Sequence, residues 1–509
     1  MDTREGLNSA PAAPPAWPVL LHRAHLVATF DDSGREWAGG SVLLRGRAIE
    51  AVYPAGGVPA AVLEAVQRDG EVVDARHLVV MPGLVNTHHH MFQTLTRAVP
   101  AAQDAELFAW LRVLYPLWMR LTPEALGTAT RVAMAELLLS GCTTSSDHLY
   151  LYPNGVRLEH SIEAAREIGL RFHAARGSTS VGESAGGLPP DALVEPEAAI
   201  LADTQRLIET FDRDADRRGH PDSPDGRYPM LRVVAAPCSP FSVSPALMRE
   251  SAALARSLGT GLHTHLAENA HDIAYSRERF GQTPAEYAES LGWLGPDVWH
   301  AHCVQLDPAG IARFAATGTG VAHCPCSNMR LASGIAPVRR MLDAGVPMGL
   351  GVDGSASNDG GHLLNEARQA MLLARVGRAM QPSREVVDPG TGAHRWEHGC
   401  DVASRELSAR DALRLATRGG AQVLGRADIG QLAPGFAADI ACFRTDTLAM
   451  AGGAVHDPLA ALVFCASPQA DRIYVNGRCV VREGQLLTLD LGPVVERHNR
   501  LARAMVSGG

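Results

Sequence analysis

Eight short apolar segments alternate with helix-like stretches, and this alternation constrains the fold more than any other feature of the chain. The segments end near Asn86, Asp147, Arg176, Pro237, His265, His302, Cys324 and Asp353. Because alternating strands and helices form a parallel sheet, and eight such units can close on themselves, the pattern predicts an α/β fold with a TIM-like (β/α)8 barrel.

Three of the intervening helices carry clear boundary signals. Each begins with a capping residue followed by proline and ends at a glycine, which is the usual asymmetry of helix ends. The predicted helices run from Thr122-Pro123 to Gly141, from Ser244-Pro245 to Gly259, and from Asp307-Pro308 to Gly318.

The two ends of the chain have a different rhythm, made of short strands and turns. Strand-like runs recur over residues 19–80 and again beyond residue 430, where Asn476-Gly477 indicates a hairpin. We therefore expect a small β-sandwich domain, composite in sequence because residues 19–80 and 430–509 build it together. The barrel is expected to occupy residues 81–429.

Three segments are predicted to lie outside this framework. Residues 1–18 contain many alanines and prolines and are expected to form a disordered tail. The stretches 212–228 and 383–405 are dominated by proline, glycine and charge, so both are expected to be surface insertions.

Composition excludes several classes of function. The net charge is −9 over 509 residues, which argues against a nucleic-acid partner. All 46 residues counted as lysine or arginine are arginine, so no lysine can form a Schiff base or, once carboxylated, bridge two metals. Nine irregularly spaced cysteines predict reduced thiols, and no apolar run approaches the length of a membrane span. We expect a cytoplasmic protein without a membrane partner; a homo-oligomer is compatible with the sequence.

Metal-binding side chains stand at the ends of several predicted strands. On an extended strand His88 and His90 point to the same side, while His89 points away. Three further strands end in ligand-type residues, namely His265, His302 and Asp353. Imidazole and carboxylate groups suit zinc and iron. Because barrel enzymes carry their chemistry at the C-terminal ends of the strands, these residues are expected to converge.

These residues resemble the amidohydrolase superfamily, in particular its mononuclear, cytosine-deaminase-like branch. The matching motifs are Pro82 to His90, His265 to Glu268, Ala301-His302-Cys303, and Val352 to Asp359. The resemblance implies one divalent metal ion, zinc in preference to iron, bound by His88, His90, His265 and Asp353. It also implies that Glu268 and His302 work beside the metal.

The resemblance implies a hydrolase that acts on carbon–nitrogen bonds in cyclic amidines. In this interpretation Asp353 takes a proton from the attacking water and Glu268 protonates a ring nitrogen, while His302 orients that water or stabilises the developing charge. Gln93 and Trp110 lie in segments similar to those of purine and triazine aminohydrolases. Together with Glu268 and His302, they are expected to contact a small aminated heterocycle, whose ring face Trp110 or Tyr115 would cover.

The resemblance around Gln93 and Trp110 implies an aminated purine as the substrate, with 8-oxoguanine, hydrolysed to uric acid and ammonia, as the favoured member. Guanine and triazines of the hydroxyatrazine type are the alternatives, because little in the local sequence separates them. A cyclic-amide hydrolase is disfavoured by the missing lysine, and a metal-binding protein without activity is disfavoured by the separate proton-transfer groups.

Four other histidines carry weaker expectations. His263 lies on the same strand as His265, one layer deeper, and is expected to belong to the core or to support the site. His300 lies below His302 and is expected to support the site. His148 and His323 also end strands, and their roles are left open.

Overall fold

Eight parallel strands close into a barrel in the computed structural model, which describes residues 15, 17–212, 227–387, 390–465 and 467–508. Consecutive strands are neighbours around the barrel, and the last strand pairs with the first through Leu350 and Asn86. The predicted barrel is therefore confirmed. Its strands are β1 Leu84–Asn86, β2 Cys142–Leu149, β3 Arg171–Ser178, β4 Leu231–Pro237, β5 Leu262–Leu266, β6 Val298–His302, β7 Gly320–His323 and β8 Met348–Leu350.

Helices connect these strands, and their ends follow the predicted signals. In all three helices with predicted boundaries the capping side chain accepts a backbone N–H and the closing glycine has a left-handed φ of 72° to 107°. The helices within the barrel region are Leu107–Trp118, Pro123–Ser140, Glu159–Ile168, Glu197–Leu207, Pro245–Leu258, Ala270–Phe280, Pro284–Ser290, Pro308–Thr317, Pro325–Arg330, Val338–Ala344, Leu363–Ala379, Gly399–Ala403, Ala409–Arg414 and Gly420–Val423.

Two further sheets lie outside the barrel, and the second of them combines strands from both ends of the chain. The first has the order Ala48–Tyr53, Ser41–Arg45, Val19–His22 and Glu71–Asp74. The second has the order Gln485–Leu486, Arg478–Arg482, Arg472–Val475, Ile440–Arg444, Leu78–Pro82, Leu26–Ala28 and Glu36–Trp37. Both sheets contribute to one apolar core, which contains Leu21, Val27, Val80 and Ile440. The predicted hairpin is present, with Asn476 and Gly477 both at positive φ.

The remaining helices flank these sheets. They are Ala60–Asp69, Gly453–His456, Pro458–Phe464 and Leu491–Ser507. The last of them lies against the barrel region, where the main-chain carbonyl of Met505 accepts a hydrogen bond from Arg120. The domain limits at residues 80 and 430 stay a prediction.

The eighth barrel strand ends at Leu350 and not near Asp353 as predicted. Asp353–Gly354 instead forms a two-residue strand that pairs with His89–His90. The chain leaves the barrel at Gly351, where a Cβ atom would lie 2.8 Å from the Cβ of His88. This close approach brings Asp353 beside the first histidine motif.

The expected insertions are only partly described. The region 383–405 contains an exposed hairpin of Arg384–Val387 and His394–Glu397. Most of the stretch 212–228 and most of the expected tail lie outside the described residues. Asp212 and Tyr228, at the limits of the former stretch, are buried. Within the described residues, no helix has the length and apolar character needed to cross a bilayer.

Candidate active site

The four predicted metal ligands meet at the C-terminal end of the barrel. His88 and His90 follow β1, His265 lies on β5, and Asp353 follows β8. Each pair among the four has ligand-type atoms within 4.8 Å of each other. The Nε2 atoms of His90 and His265 are 3.1 Å apart, and Asp353 Oδ1 is 3.1 Å from His88 Nε2. All four side chains are buried or nearly so.

Hydrogen bonds on the far side of two rings determine which imidazole nitrogens face inward as lone pairs. His90 Nδ1 donates to the carbonyl of His148 at 2.7 Å, and His265 Nδ1 donates to the carbonyl of Cys238 at 2.6 Å. Because a carbonyl can only accept, each Nδ1 carries the proton of a neutral ring. Burial lowers the pKa of both rings, to about 3 for His90, so neither becomes a second donor. Two unprotonated Nε2 atoms therefore face each other.

The position of the proton on His88 is also determined by a hydrogen bond, in this case to the side chain of His263. His263 Nδ1 donates to the carbonyl of Trp299 at 3.0 Å, so its Nε2 accepts the proton of His88 Nδ1 at 2.8 Å. His88 Nε2 is consequently a third inward lone pair, and it has no hydrogen-bond partner although it is fully buried. Lone pairs and a carboxylate in such proximity repel each other unless a cation lies between them. The donor set therefore fits a divalent metal ion of the zinc type.

Backbone strain is concentrated at this end of the barrel. His302 and Asp353 have φ values of 72° and 60°, in the left-handed region that L-residues seldom adopt. Each such conformation costs on the order of 1 kcal/mol or more, and strained residues are typical of functional sites. The strain turns both side chains toward the ligand group. The Asp353 carboxylate is then held by the hydroxyls of Ser327 and Ser357.

Glu268 and His302 lie beside the ligand group, as the sequence predicted. His302 Nε2 is 3.6 Å from Glu268 Oε2 and 3.9 Å from Asp353 Oδ2. Its Nδ1 is 3.0 Å from Asn328 Oδ1 and donates to it. Burial, followed by the carboxylates of Asp272 and Asp353, raises the pKa of Glu268 well above its usual range. A carboxyl group in its acid form is therefore available to protonate a ligand.

A cavity of about 450 Å³, including its open mouth, lies directly above these groups. The predicted substrate contacts Gln93 and Trp110 both line it, together with Tyr115. The Trp110 indole donates to the carbonyl of Ala356, which fixes the ring in the wall. Within the described part of the chain no arginine lines the cavity, and Gln93, Tyr150, Ser239 and Ser357 contribute uncharged polar groups to its wall.

Several cavity residues were missed by the sequence analysis. They are Leu107, Leu111, Tyr150, Cys238, Ser239, Phe241, Leu331 and Ser357. Tyr150, Cys238 and Ser239 directly follow the ends of β2 and β4, so their position after a barrel strand was the available signal.

Three of the four other histidines named above differ in their surroundings. His263 supports His88, and His148 stacks on His265 with a ring-centre distance of 5.0 Å. His300 donates to the carbonyl of Trp293 and packs on Phe314, so it does not support His302 as expected. The reason is the left-handed φ of His302, which interrupts the alternation of side chains on this strand.

Comparison with known proteins gives long and close matches. The chain is 45% identical over 484 residues to 8-oxoguanine deaminase from Pseudomonas aeruginosa, covering 95% of this chain and 98% of the relative. It is 37% identical over 492 residues to hydroxydechloroatrazine ethylaminohydrolase from Pseudomonas sp. strain ADP, covering 95% of each chain. The structure superposes on the atrazine chlorohydrolase of Arthrobacter aurescens TC1, solved with zinc, with a TM-score of 0.83 and 33% identity over 95% of this chain and 100% of that one.

The family assignment follows from a match along most of the chain. The family described as the Amidohydrolase family matches residues 79–480, which include all the motifs named above. The relatives are deaminases and hydrolases by name, so the predicted class, a hydrolase of carbon–nitrogen bonds, is confirmed. This chain belongs to the amidohydrolase family.

Proposed function

We propose that this protein is a hydrolytic deaminase of an aminated purine, with 8-oxoguanine as its substrate and uric acid and ammonia as its products. The observation that carries the proposal is the convergence of three imidazole lone pairs and Asp353 beneath a cavity that Glu268 also lines. One divalent ion, zinc in preference to iron, would be held by His88, His90, His265 and Asp353.

The chain's own residues supply the proton transfers. A divalent ion bound there would lower the pKa of a coordinated water to near neutrality. Asp353 accepts the proton that the attacking water releases, and His302, between the two carboxyl groups, orients that water. Glu268 donates its proton to the ring nitrogen beside the amine-bearing carbon, which makes that carbon more electrophilic. The carbon–nitrogen bond then breaks, and the amine departs as ammonia with the proton that Asp353 had taken. The added hydroxyl group becomes the new carbonyl and returns its proton to Glu268.

The form and polarity of the cavity support a flat, neutral ring. Trp110 and Tyr115 present aromatic surface, and Gln93 presents an amide. The preference for 8-oxoguanine is supported by the 45% identity with a deaminase of that purine. A relative that bears the name of a triazine aminohydrolase matches over a similar length, which keeps a hydroxyatrazine-type amine as the alternative substrate.

The proposal is tested by measuring ammonia and the ring product from 8-oxoguanine, guanine and hydroxyatrazine with zinc-loaded protein. We expect uric acid from 8-oxoguanine, and a kcat/KM at least about tenfold above that for guanine, because a site that binds a carbonyl rejects a ring without it. Equal values for both purines would indicate a general guanine deaminase. Amine release from hydroxyatrazine alone would establish the triazine alternative.

A further inference from the structure

Gln93 and Tyr150 form a buried polar pair in the wall of the cavity. Gln93 Nε2 donates to the Tyr150 hydroxyl at 3.3 Å, and the two residues are 1% and 3% exposed. Gln93 Oε1 is buried and has no hydrogen-bond partner. Leaving a buried acceptor unpaired is energetically unfavourable, so an unpaired oxygen in a cavity wall indicates that a ligand supplies the missing donor.

The pair offers one donor and one acceptor side by side. The Tyr150 oxygen accepts from Gln93, which leaves its own proton to be donated, while Gln93 Oε1 remains to accept. Rotation of the amide would reverse both ends together, so the pair would still present one donor beside one acceptor. In an oxopurine the complementary edge is a lactam, in which a carbonyl adjoins a ring N–H.

The pair also lies close to the reaction centre. A Cβ atom at Gly354 would collide with the Gln93 amide, although the backbone of Gly354 is outside the left-handed region. Glycine is therefore needed here for the approach of Gln93 to the residue that follows Asp353. The Tyr150 ring meets the His90 ring edge to face at 5.0 Å. A lactam bound by this pair would adjoin the carbon that carries the amine.

We propose that Tyr150 is a specificity-determining residue and that the Gln93–Tyr150 pair forms hydrogen bonds with the lactam of the substrate, next to its amine-bearing carbon. The inference rests on the proposed function in taking the ligand to be an aminated ring. It deepens that function by naming the class of substrate. The protein would prefer aminated heterocycles with a lactam next to the amine-bearing carbon over aminopurines that lack the carbonyl of the six-membered ring.

The test is calorimetric binding of two rings to zinc-loaded protein in the Glu268→Gln background, where turnover is blocked. The rings are 8-oxoguanine and 2-amino-8-oxopurine. The second lacks the carbonyl and the adjoining N–H of the six-membered ring, next to the amine-bearing carbon, and both rings keep the carbonyl of the five-membered ring. We expect the background protein to bind 8-oxoguanine about tenfold or more tightly than the analogue, as one neutral hydrogen bond of about 1.4 kcal/mol implies. Adding Tyr150→Phe should remove most of this preference by weakening 8-oxoguanine alone.

The matched control is Tyr152→Phe, two residues along the same segment. The Tyr152 hydroxyl donates to the carbonyl of Leu149 and does not line the cavity, so this change should leave the preference intact. The inference is overturned if neither ring binds, if the preference is absent, if it survives Tyr150→Phe, or if Tyr152→Phe removes it equally.

The outcomes also separate this inference from the proposed function. Ammonia release from 8-oxoguanine by the unmodified enzyme, with a preference that survives Tyr150→Phe, would refute only the role of Tyr150. The opposite result is also possible. If Tyr150→Phe removes the lactam preference, but the unmodified protein releases no ammonia from purines, only the proposed function is refuted.

Discussion

Two buried polar clusters, one at each end of the barrel, differ in how completely their hydrogen-bonding groups are satisfied. At the N-terminal end Arg171, which begins β3, donates through Nε and Nη2 to both oxygens of Asp439 at 2.9 Å. Its Nη1 donates to the carbonyls of Tyr228 and Pro229. At the C-terminal end, His88 Nε2 and Gln93 Oε1 are equally buried and have no partner.

This difference distinguishes polar groups that stabilise the fold from polar groups that bind a metal or a ligand. Arg171 is a buried charge that is paired and fully hydrogen-bonded. It joins the barrel to Asp439, the residue before the strand Ile440–Arg444, and needs no further partner. Lone pairs that face one another are tolerated only if a metal or ligand completes them. The convergence of several unpaired lone pairs on one point, and not burial or polarity alone, therefore distinguishes the C-terminal cluster from the Arg171 cluster.

Removal of the metal is the strongest test of this contrast. Stripping the protein with a chelator should abolish deamination, because no other group lowers the pKa of the attacking water. About one equivalent of zinc should restore it, with nitrogen ligands at about 2.0–2.2 Å. Elemental analysis and X-ray absorption provide the measurements. Two tightly bound metals in active protein would contradict the single site.

The variant Glu268→Gln should keep its metal and lose about 10²–10⁴-fold in turnover, since the amide cannot protonate the ring. Turnover and bound zinc are measured on the same sample. Glu397→Gln is the control, because Glu397 is also buried but pairs with Arg378 and Arg384 outside the cavity. Near-normal turnover of Glu268→Gln would remove Glu268 from the mechanism.

At the N-terminal end of the barrel, a substitution in the Arg171–Asp439 pair is expected to change the stability of the protein. Arg171→Met leaves the Asp439 charge buried without its partner, which should cost about 3–5 kcal/mol in the free energy of unfolding. The turnover of the folded fraction should be unchanged. Urea unfolding measures the first quantity, and the double variant with Asp439→Leu should recover much of the loss. A loss of activity without a loss of stability would show that this pair serves the reaction.

The sequence predicted those features that depend on local signals or on strand position. The helix from Pro123 to Ser140 matches its prediction because cap and glycine act on neighbouring residues. His88, His90 and His265 were predicted to converge because strand ends meet at one end of a barrel, and the structure brings them together.

Other features depend on contacts between distant residues and could not be predicted. Gln93 and Tyr150 are 57 positions apart, and Arg171 and Asp439 are 268 apart. No pattern within a single strand or helix contains either pair. The misplaced role of His300 has a different cause, since the left-handed backbone of His302 cannot be read from strand periodicity.

The smallest expected effect concerns the residue that supports His88. His263→Phe keeps a ring that can stack on Trp299 but removes the acceptor that holds the proton of His88 on Nδ1. Without that acceptor His88 Nε2 is no longer fixed as an inward lone pair, so zinc affinity should fall about 10–100-fold. Competition with a chelator of known affinity measures the change, and excess zinc should restore most of the turnover. His300→Phe is the matched control, because His300 bonds only the carbonyl of Trp293 within the described structure and should leave zinc affinity unchanged. Equal losses in both variants would mean that zinc affinity follows general packing of the barrel, and the proposed orientation of His88 by His263 would then be wrong.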